Sequence, residues 1–272
     1  MEIIELLAAP FVLAVLLVGI HAYLGFHVLE REVIFVDISL SQVAALGSAA
    51  SLFFINTKNG SVLALMLPLT LCLLVAFALA LFKRYEKSVS QEALIGMTYA
   101  LASGALILIA DKLPHGAEHL KEALIGNILF VTWSQVLETF LIYTVIGIIH
   151  WVYRKQFWQA SRGDSKLFWW DFLFYFLFGI VITFSTRHAG VLVVFSILVA
   201  PAALATRFSN KILPRLLLAW GLGLVGIFVA FFMSYKLDLP SGATIVCTLT
   251  SLFFLTLFLR KFIIPQVSLQ NE

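Results

Sequence analysis

The sequence predicts an all-α fold, a polytopic integral membrane bundle of about eight or nine spans, and three observations carry that prediction. Hydrophobic residues fill 61% of the 272 positions, and the mean hydropathy is +1.01. Charged residues are only 12%, where a soluble domain carries roughly 25%. Apolar runs also recur from one end to the other, each near the ~20 residues that cross a bilayer as a helix. The net charge of +3 therefore says nothing of nucleic acid, and no nucleic-acid partner is expected. In a membrane chain the informative quantity is where Lys and Arg lie.

Taken in order, the runs define nine candidate segments. The first, roughly 6–26, follows MEIIELLAAP, which has Glu2 and Glu5 but no basic residue. A signal peptide opens on a positive region, so this run is expected to remain as a span. The next five fall at roughly 33–55, 61–82, 93–110, 134–153 and 168–186, each bounded by polar punctuation. The seventh, GVLVVFSILVAPAALAT at 190–206, is short and holds Pro201. It is expected to be a partial or broken crossing, because Pro frees backbone groups that neighbouring protein must cover. The last two lie at roughly 213–235 and 241–260. Cys72 and Cys247 sit inside apolar runs without metal-type spacing and read as small core residues. A single membrane domain over 1–272 is expected, since the longest connection, 111–133, is too short for a soluble domain.

With the N-terminus placed outside, the inner segments carry Arg31; Lys83, Arg84 and Lys87; Arg154, Lys155, Arg162 and Lys166; Arg207, Lys211 and Arg215; Arg260 and Lys261. Only Lys58, Lys112, Lys121, Arg187 and Lys236 remain outside. That asymmetry favours N-terminus out and C-terminus in. No G-x-x-x-x-G-K-[ST] phosphate loop occurs in the sequence, so the chain has no recognisable ATP motor of its own. It is not expected to be an enzyme, and transport would need an ion gradient or a partner ATPase.

The polar residues within the spans then call for an account. An ionisable group there costs at least ~2.5–3.5 kcal/mol and marks a functional site by default. In REVIFVDISLSQVAALG, residues 31–47, Asp37 lies six positions beyond Arg31, with Ser41 four residues on and Gln42 beside it. Asp37 and Ser41 share a helical face. Counting back across the turn between the first two spans puts His21 at the depth of Asp37. An imidazole opposite a carboxylate is half a site for a divalent transition metal. It is equally an Asp–His hydrogen bond tying two helices, and depth alone does not separate the two. In DKLPHGAEHLKE, 111–122, a short helix would align His115, Glu118, His119 and Glu122 on one face outside the membrane, either to collect cations or as a solvated turn. His27, His150 and His188, at predicted span ends, read as ordinary interfacial residues, as do Trp158, Trp169 and Trp170.

Five stretches in order, HAYLGFHVLEREVIFVDISLSQVAALG (21–47), QEALIGMTYALASGALIL (91–108), HLKEALIGNILFVTWSQVL (119–137), GVLVVFSILVAPAALATRF (190–208) and LDLPSGATIV (237–246), resemble the permease subunits of metal-uptake ABC transporters. The second stretch of span sequence is most similar to the zinc-type branch, which carries a VDLALAQ-like phrase. The resemblance implies an inner-membrane homodimer, a separate cytoplasmic ATP-binding subunit and an external metal-binding protein. The transported ion would be Zn2+, or else Mn2+ or Fe2+, and no tightly bound cofactor is implied. In manganese-type members an Asp and a His four residues apart in the second span are the metal contacts; they fall on Asp37 and Ser41 here. His21 would then supply the nitrogen that Ser41 lacks. AALATRFSNKILPRLL, 202–217, resembles the region that docks on the ATPase, where Arg207, Lys211 and Arg215, four apart, would share one helical face. Asp238 would help line the outer mouth. Two other classes stay open on sequence: a gradient-driven secondary transporter, and a haem-bearing anchor needing two His at matched depth on facing helices.

Overall fold

Each apolar run becomes a helix in the computed structural model, which describes residues 2–55, 62–85, 88–162 and 168–263. In chain order these are α1 (Glu2–Glu30), α2 (Val36–Ile55), α3 (Val62–Tyr85), α4 (Gln91–Ala110), α5 (Gly116–Ile125), α6 (Trp133–Val152), α7 (Arg154–Ser161), α8 (Phe168–Ala189), α9 (Val191–Ala205), α10 (Ile212–Leu237) and α11 (Ser241–Ile263). Among the described residues eight helices, all but α5, α7 and α9, are long and apolar enough to cross a membrane. Lys58, Lys87 and Lys166, three of the cations weighed above, lie outside the described residues.

Helix ends follow local chemistry. Ser90 caps α4 by accepting from the Ala93 N–H at 3.2 Å. Thr132 and Gln135 form a capping box at α6: Thr132 Oγ1 accepts from the Gln135 N–H, and Gln135 Oε1 accepts from the Thr132 N–H at 2.9 Å. The end of α1 is a Schellman turn, with Val33 N–H donating to the Val28 carbonyl and Glu32 N–H to that of Leu29. Glu32 takes the left-handed position usually given to glycine, at φ 57°.

The seventh segment is short, as expected, but it is not broken. Pro201 lies within α9 without breaking it. At 15 residues this helix is ~22 Å long, under the ~30 Å of a hydrocarbon core. It nevertheless connects the two ends of the bundle, from Gly190 beside Gly126 to the turn after Ala205, and neighbouring helices cover it: most of its side chains are buried. It runs parallel to α1 and packs so closely that a Cβ on Gly25 would collide with the Leu198 carbonyl oxygen. At its start, Gly190 (φ 79°) lies backbone to backbone against Gly126 (φ 64°). Asn127 N–H donates to the His188 carbonyl beside them at 3.2 Å. Both glycines combine a left-handed φ with contact too close for a side chain.

The other end of the bundle is basic. There Arg31, just past the end of α1, pairs with Asp171 of α8, and Lys83 Nζ of α3 lies 2.8 Å from the second Asp171 oxygen. Arg31 also lies over the Phe174 ring, 4.2 Å from its centroid, and Gln91 donates to the Tyr175 hydroxyl at 2.8 Å. Four helices are thereby tied at one level.

Candidate functional site

The site builds outward from Asp37, in the first turn of α2. Its depth comes from the connection preceding it. After the Schellman turn the chain climbs back into the bundle, where Phe35 stacks on Phe195 of α9 with ring centroids 6.4 Å apart. One turn past Asp37, the Leu40 carbonyl accepts from Cys72 Sγ at 3.3 Å. Cys72 lies midway along α3, and a Cβ built on Gly179, midway along α8, would lie 3.9 Å from it. Asp37 therefore sits well inside the bundle.

It is fully buried, as are Ser39 and Ser41, and Gln42 is nearly so. Among the described residues neither Asp37 carboxylate oxygen has a hydrogen-bond partner, and neither do the Ser39 and Ser41 hydroxyls. Buried polar groups are normally satisfied, because leaving one bare costs roughly 1–3 kcal/mol, and an ion far more. These unpartnered oxygens are acceptors that a cation could satisfy. Asp37 and Ser41, one turn apart, put a carboxylate and a hydroxyl on one face.

His21 is not brought to Asp37. Its Nδ1–H donates to the Leu17 carbonyl at 2.8 Å, which leaves Nε2 to accept from Ser185 Oγ at 3.0 Å. Tyr143 of α6 reaches the same Ser185 oxygen at 2.5 Å. The pairing expected across the hairpin fails for a physical reason. Counting residues assumes two helices running side by side, whereas the climbing connection carries α2 onto α3, α4, α8 and α9. The rotation of α1 turns the imidazole towards α6 and α8. Among the described residues no group of three or more His, Cys, Asp and Glu stands ready to hold a metal.

At the end opposite Arg31, α5 forms with His115 as its left-handed N-cap residue. His115 Nδ1 lies 3.5 Å from Glu118, and His119 Nδ1 lies 4.0 Å from Glu122. Glu118, His119 and Glu122 lie on the helix while His115 precedes it, so the face is formed without His115 on it, and these side chains are at least partly solvated. Asp238 is exposed at the C-cap of α10, at the same end. The basic triplet is corrected: α9 stops at Ala205 and α10 begins at Ile212, so Arg207, Lys211 and Arg215 do not share a helical face. A turn intervenes. Arg207 and Lys211 are exposed on it, while Arg215 folds back to donate to the Ser209 carbonyl and to Asn210 Oδ1.

The structure also adds residues that sequence reasoning passed over. His27 and His150 are buried, not interfacial, because α7 folds over them. Tyr23 pairs with His27 Nε2 at 2.9 Å, and His27 Nδ1–H donates to Ser161 Oγ at 2.8 Å. The two imidazole centroids lie 5.9 Å apart, but both nitrogens of His27 are engaged, which removes the facing pair of free axial ligands that a haem anchor requires. His188 is buried as well. Asp171, the centre of the ionic triad, could have been noticed as a carboxylate just inside the apolar run that follows Trp169 and Trp170.

Membrane-spanning helices around an interior carboxylate with no partner have the architecture of a transport permease. Residues 4–260 match the ABC 3 transport family, and the chain belongs to that family. A protein of Chlamydia trachomatis named "Probable metal transport system membrane protein" is 28% identical over 181 residues, 63% of this chain and 61% of that one. The chain thus spans about three-fifths of that relative's length. The manganese transport system membrane protein MntC of Listeria monocytogenes is 28% identical over 66% of this chain and 67% of its own. The high-affinity zinc uptake system membrane protein ZnuB of Haemophilus influenzae is 25% identical over 94% and 98%. Among solved structures, PsaBC from Streptococcus pneumoniae in complex with Fab matches with a TM-score of 0.77, covering 93% of this chain and 91% of that one at 19% identity. That last likeness is one of fold.

Proposed function

We propose that the chain is the membrane-spanning permease subunit of an ABC importer for a divalent transition metal, zinc first and manganese or iron after it. One observation carries the reading: Asp37 is fully buried with both oxygens unpartnered, in a member of a transport family. A carboxylate so placed is satisfied by a passing cation, with Ser41 and Gln42 as neutral neighbours. Few ligands suit a transit site, since an ion held by many would not leave. Relatives named for zinc and for manganese transport support the substrate class.

The remaining parts follow. Two copies of the chain would enclose the path in the cytoplasmic membrane, and a separate ATP-binding subunit would drive it. The basic end faces the cytoplasm by the positive-inside rule, with the N-terminus outside and the C-terminus inside. Arg207 and Lys211 offer the ATPase exposed donors there. At the outer end His115, Glu118, His119 and Asp238 face the side from which an external metal-binding protein delivers its ion. His21 enters the ion's path only if it gives up Ser185.

The test is ATP-dependent uptake by the complex in proteoliposomes, comparing zinc with manganese. Asp37→Asn is expected to reduce uptake to background while the complex still assembles; wild-type uptake by that variant rejects the site. His21→Ala with unchanged uptake removes His21 from the ion's path. Transport without any ATPase would instead make the chain a secondary transporter.

A further inference from the structure

Between α1, α6, α7 and α10 lies a cavity of about 850 Å³ that the transport reading does not use. Its walls are apolar, including Leu16 and Ile20 of α1, Phe140 of α6 and Leu216 of α10. Its mouth, at the basic end, is ringed by Arg154, Lys155 and Arg162. Trp151 and Trp158 stand at the same level, with the Arg154 and Arg162 guanidiniums each 5.9 Å from a ring centroid. One acid moderates the ring: Glu30 accepts from Arg162 Nε at 3.2 Å. The mouth therefore keeps a net charge near +2. Along the wall His150 is only 2% exposed, yet among the described residues neither ring nitrogen has a partner.

We propose that this cavity holds one anionic phospholipid, with an acyl chain between α1, α6 and α10 and its phosphate at the Arg154, Lys155 and Arg162 rim. The volume lies within the ordinary range for a ligand site, roughly 300–1,000 Å³. Only an amphiphile satisfies an apolar slot, a cationic mouth and a buried imidazole donor together; a lipid ester carbonyl can accept from His150. Basic pockets between membrane helices at the cytoplasmic face recognise headgroups of this charge. A soluble partner does not reach between spans, and a second copy placed symmetrically would set one cationic rim against another.

Native mass spectrometry of the purified full-length chain, titrated with phosphatidylglycerol and with phosphatidylcholine, tests the proposal. One tightly held phosphatidylglycerol per chain is expected, with a preference of about thirtyfold from two net charges on the rim. Lys155→Ala, an exposed change, should cut that preference about fivefold. Gly147 lines the cavity, and a Cβ there meets nothing within 4 Å. Gly147→Leu should fill the slot and lower phosphatidylglycerol occupancy at least tenfold. Gly104→Leu, equally open but on α4, should leave it unchanged. Equal retention of the two lipids overturns the proposal. So does full occupancy in Gly147→Leu, and a Gly147→Leu chain that loses its dimer but keeps its lipid assigns the groove to the second copy instead.

Discussion

Removing Asp171 should be among the most damaging single changes in the molecule. The Arg31 side chain is 1% exposed and, among the described residues, pairs ionically with Asp171, while its Nε and Nη2 find no partner there. In Asp171→Ala the guanidinium stays buried with no counter-charge, for which ~3–5 kcal/mol is the usual cost. The Phe174 face beneath it returns at most ~2 kcal/mol, and it is already engaged in the wild type. Lys83, with a side chain 26% exposed, loses under ~1 kcal/mol because water reaches it. A loss of roughly 3–5 kcal/mol is therefore expected, set almost wholly by Arg31. The double variant Arg31→Met, Asp171→Leu removes both charges and fills the same volume, so it should recover most of that loss. Reversible unfolding of the purified chain in mixed detergent micelles, titrated with SDS, measures all three. If the double variant is as unstable as Asp171→Ala, the cost does not come from a stranded arginine and the reasoning fails.

Four further outcomes are expected in the same assay. Gly25→Ala drives a methyl into the Leu198 carbonyl and Ala202, and should cost ~1–3 kcal/mol; Gly104→Ala, with open space around it, should gain up to ~1 kcal/mol. Asp37→Asn replaces a buried, unpartnered carboxyl with an amide of the same shape, so it should leave stability unchanged or raised even as uptake disappears; a loss above ~1 kcal/mol would show that a hydrogen bond holds Asp37. Thr132→Ala breaks the capping box of α6 and should cost ~1 kcal/mol, readable also as faster amide exchange in the first turn of that helix.

How much of this was legible in the sequence depends on what each feature is made of. A span is a matter of length and composition, and the helices accordingly start and stop within a few residues of the apolar runs, α2 to α4 included. Asp37 was legible for a similar reason, since a carboxylate in an apolar run is visible without any packing. The placement of His21 was not. It depends on the rotation of α1 and on a turn that carries α2 away, and neither leaves a mark in residue spacing. His27 and His150 were misjudged because α7, a short helix weak in apolar signal, covers them. The supposed basic face failed because a helix end falls between Ala205 and Ile212, where Ser209 and Asn210 support a turn. Pro201 suggested a break, yet buried neighbours keep α9 continuous.

The parallel, buried course of α9 has a mechanical consequence. Its hydrogen-bonded backbone resists compression, and its two ends are fastened to different things: Gly190 to the loop carrying α5, and Thr206 to the turn that exposes Arg207 and Lys211. It acts as a pushrod. A displacement of a few ångströms imposed on α5 would be delivered at the other end of the bundle without any helix having to bend. Labels at positions 118 and 207 should therefore keep their separation while both move relative to α4.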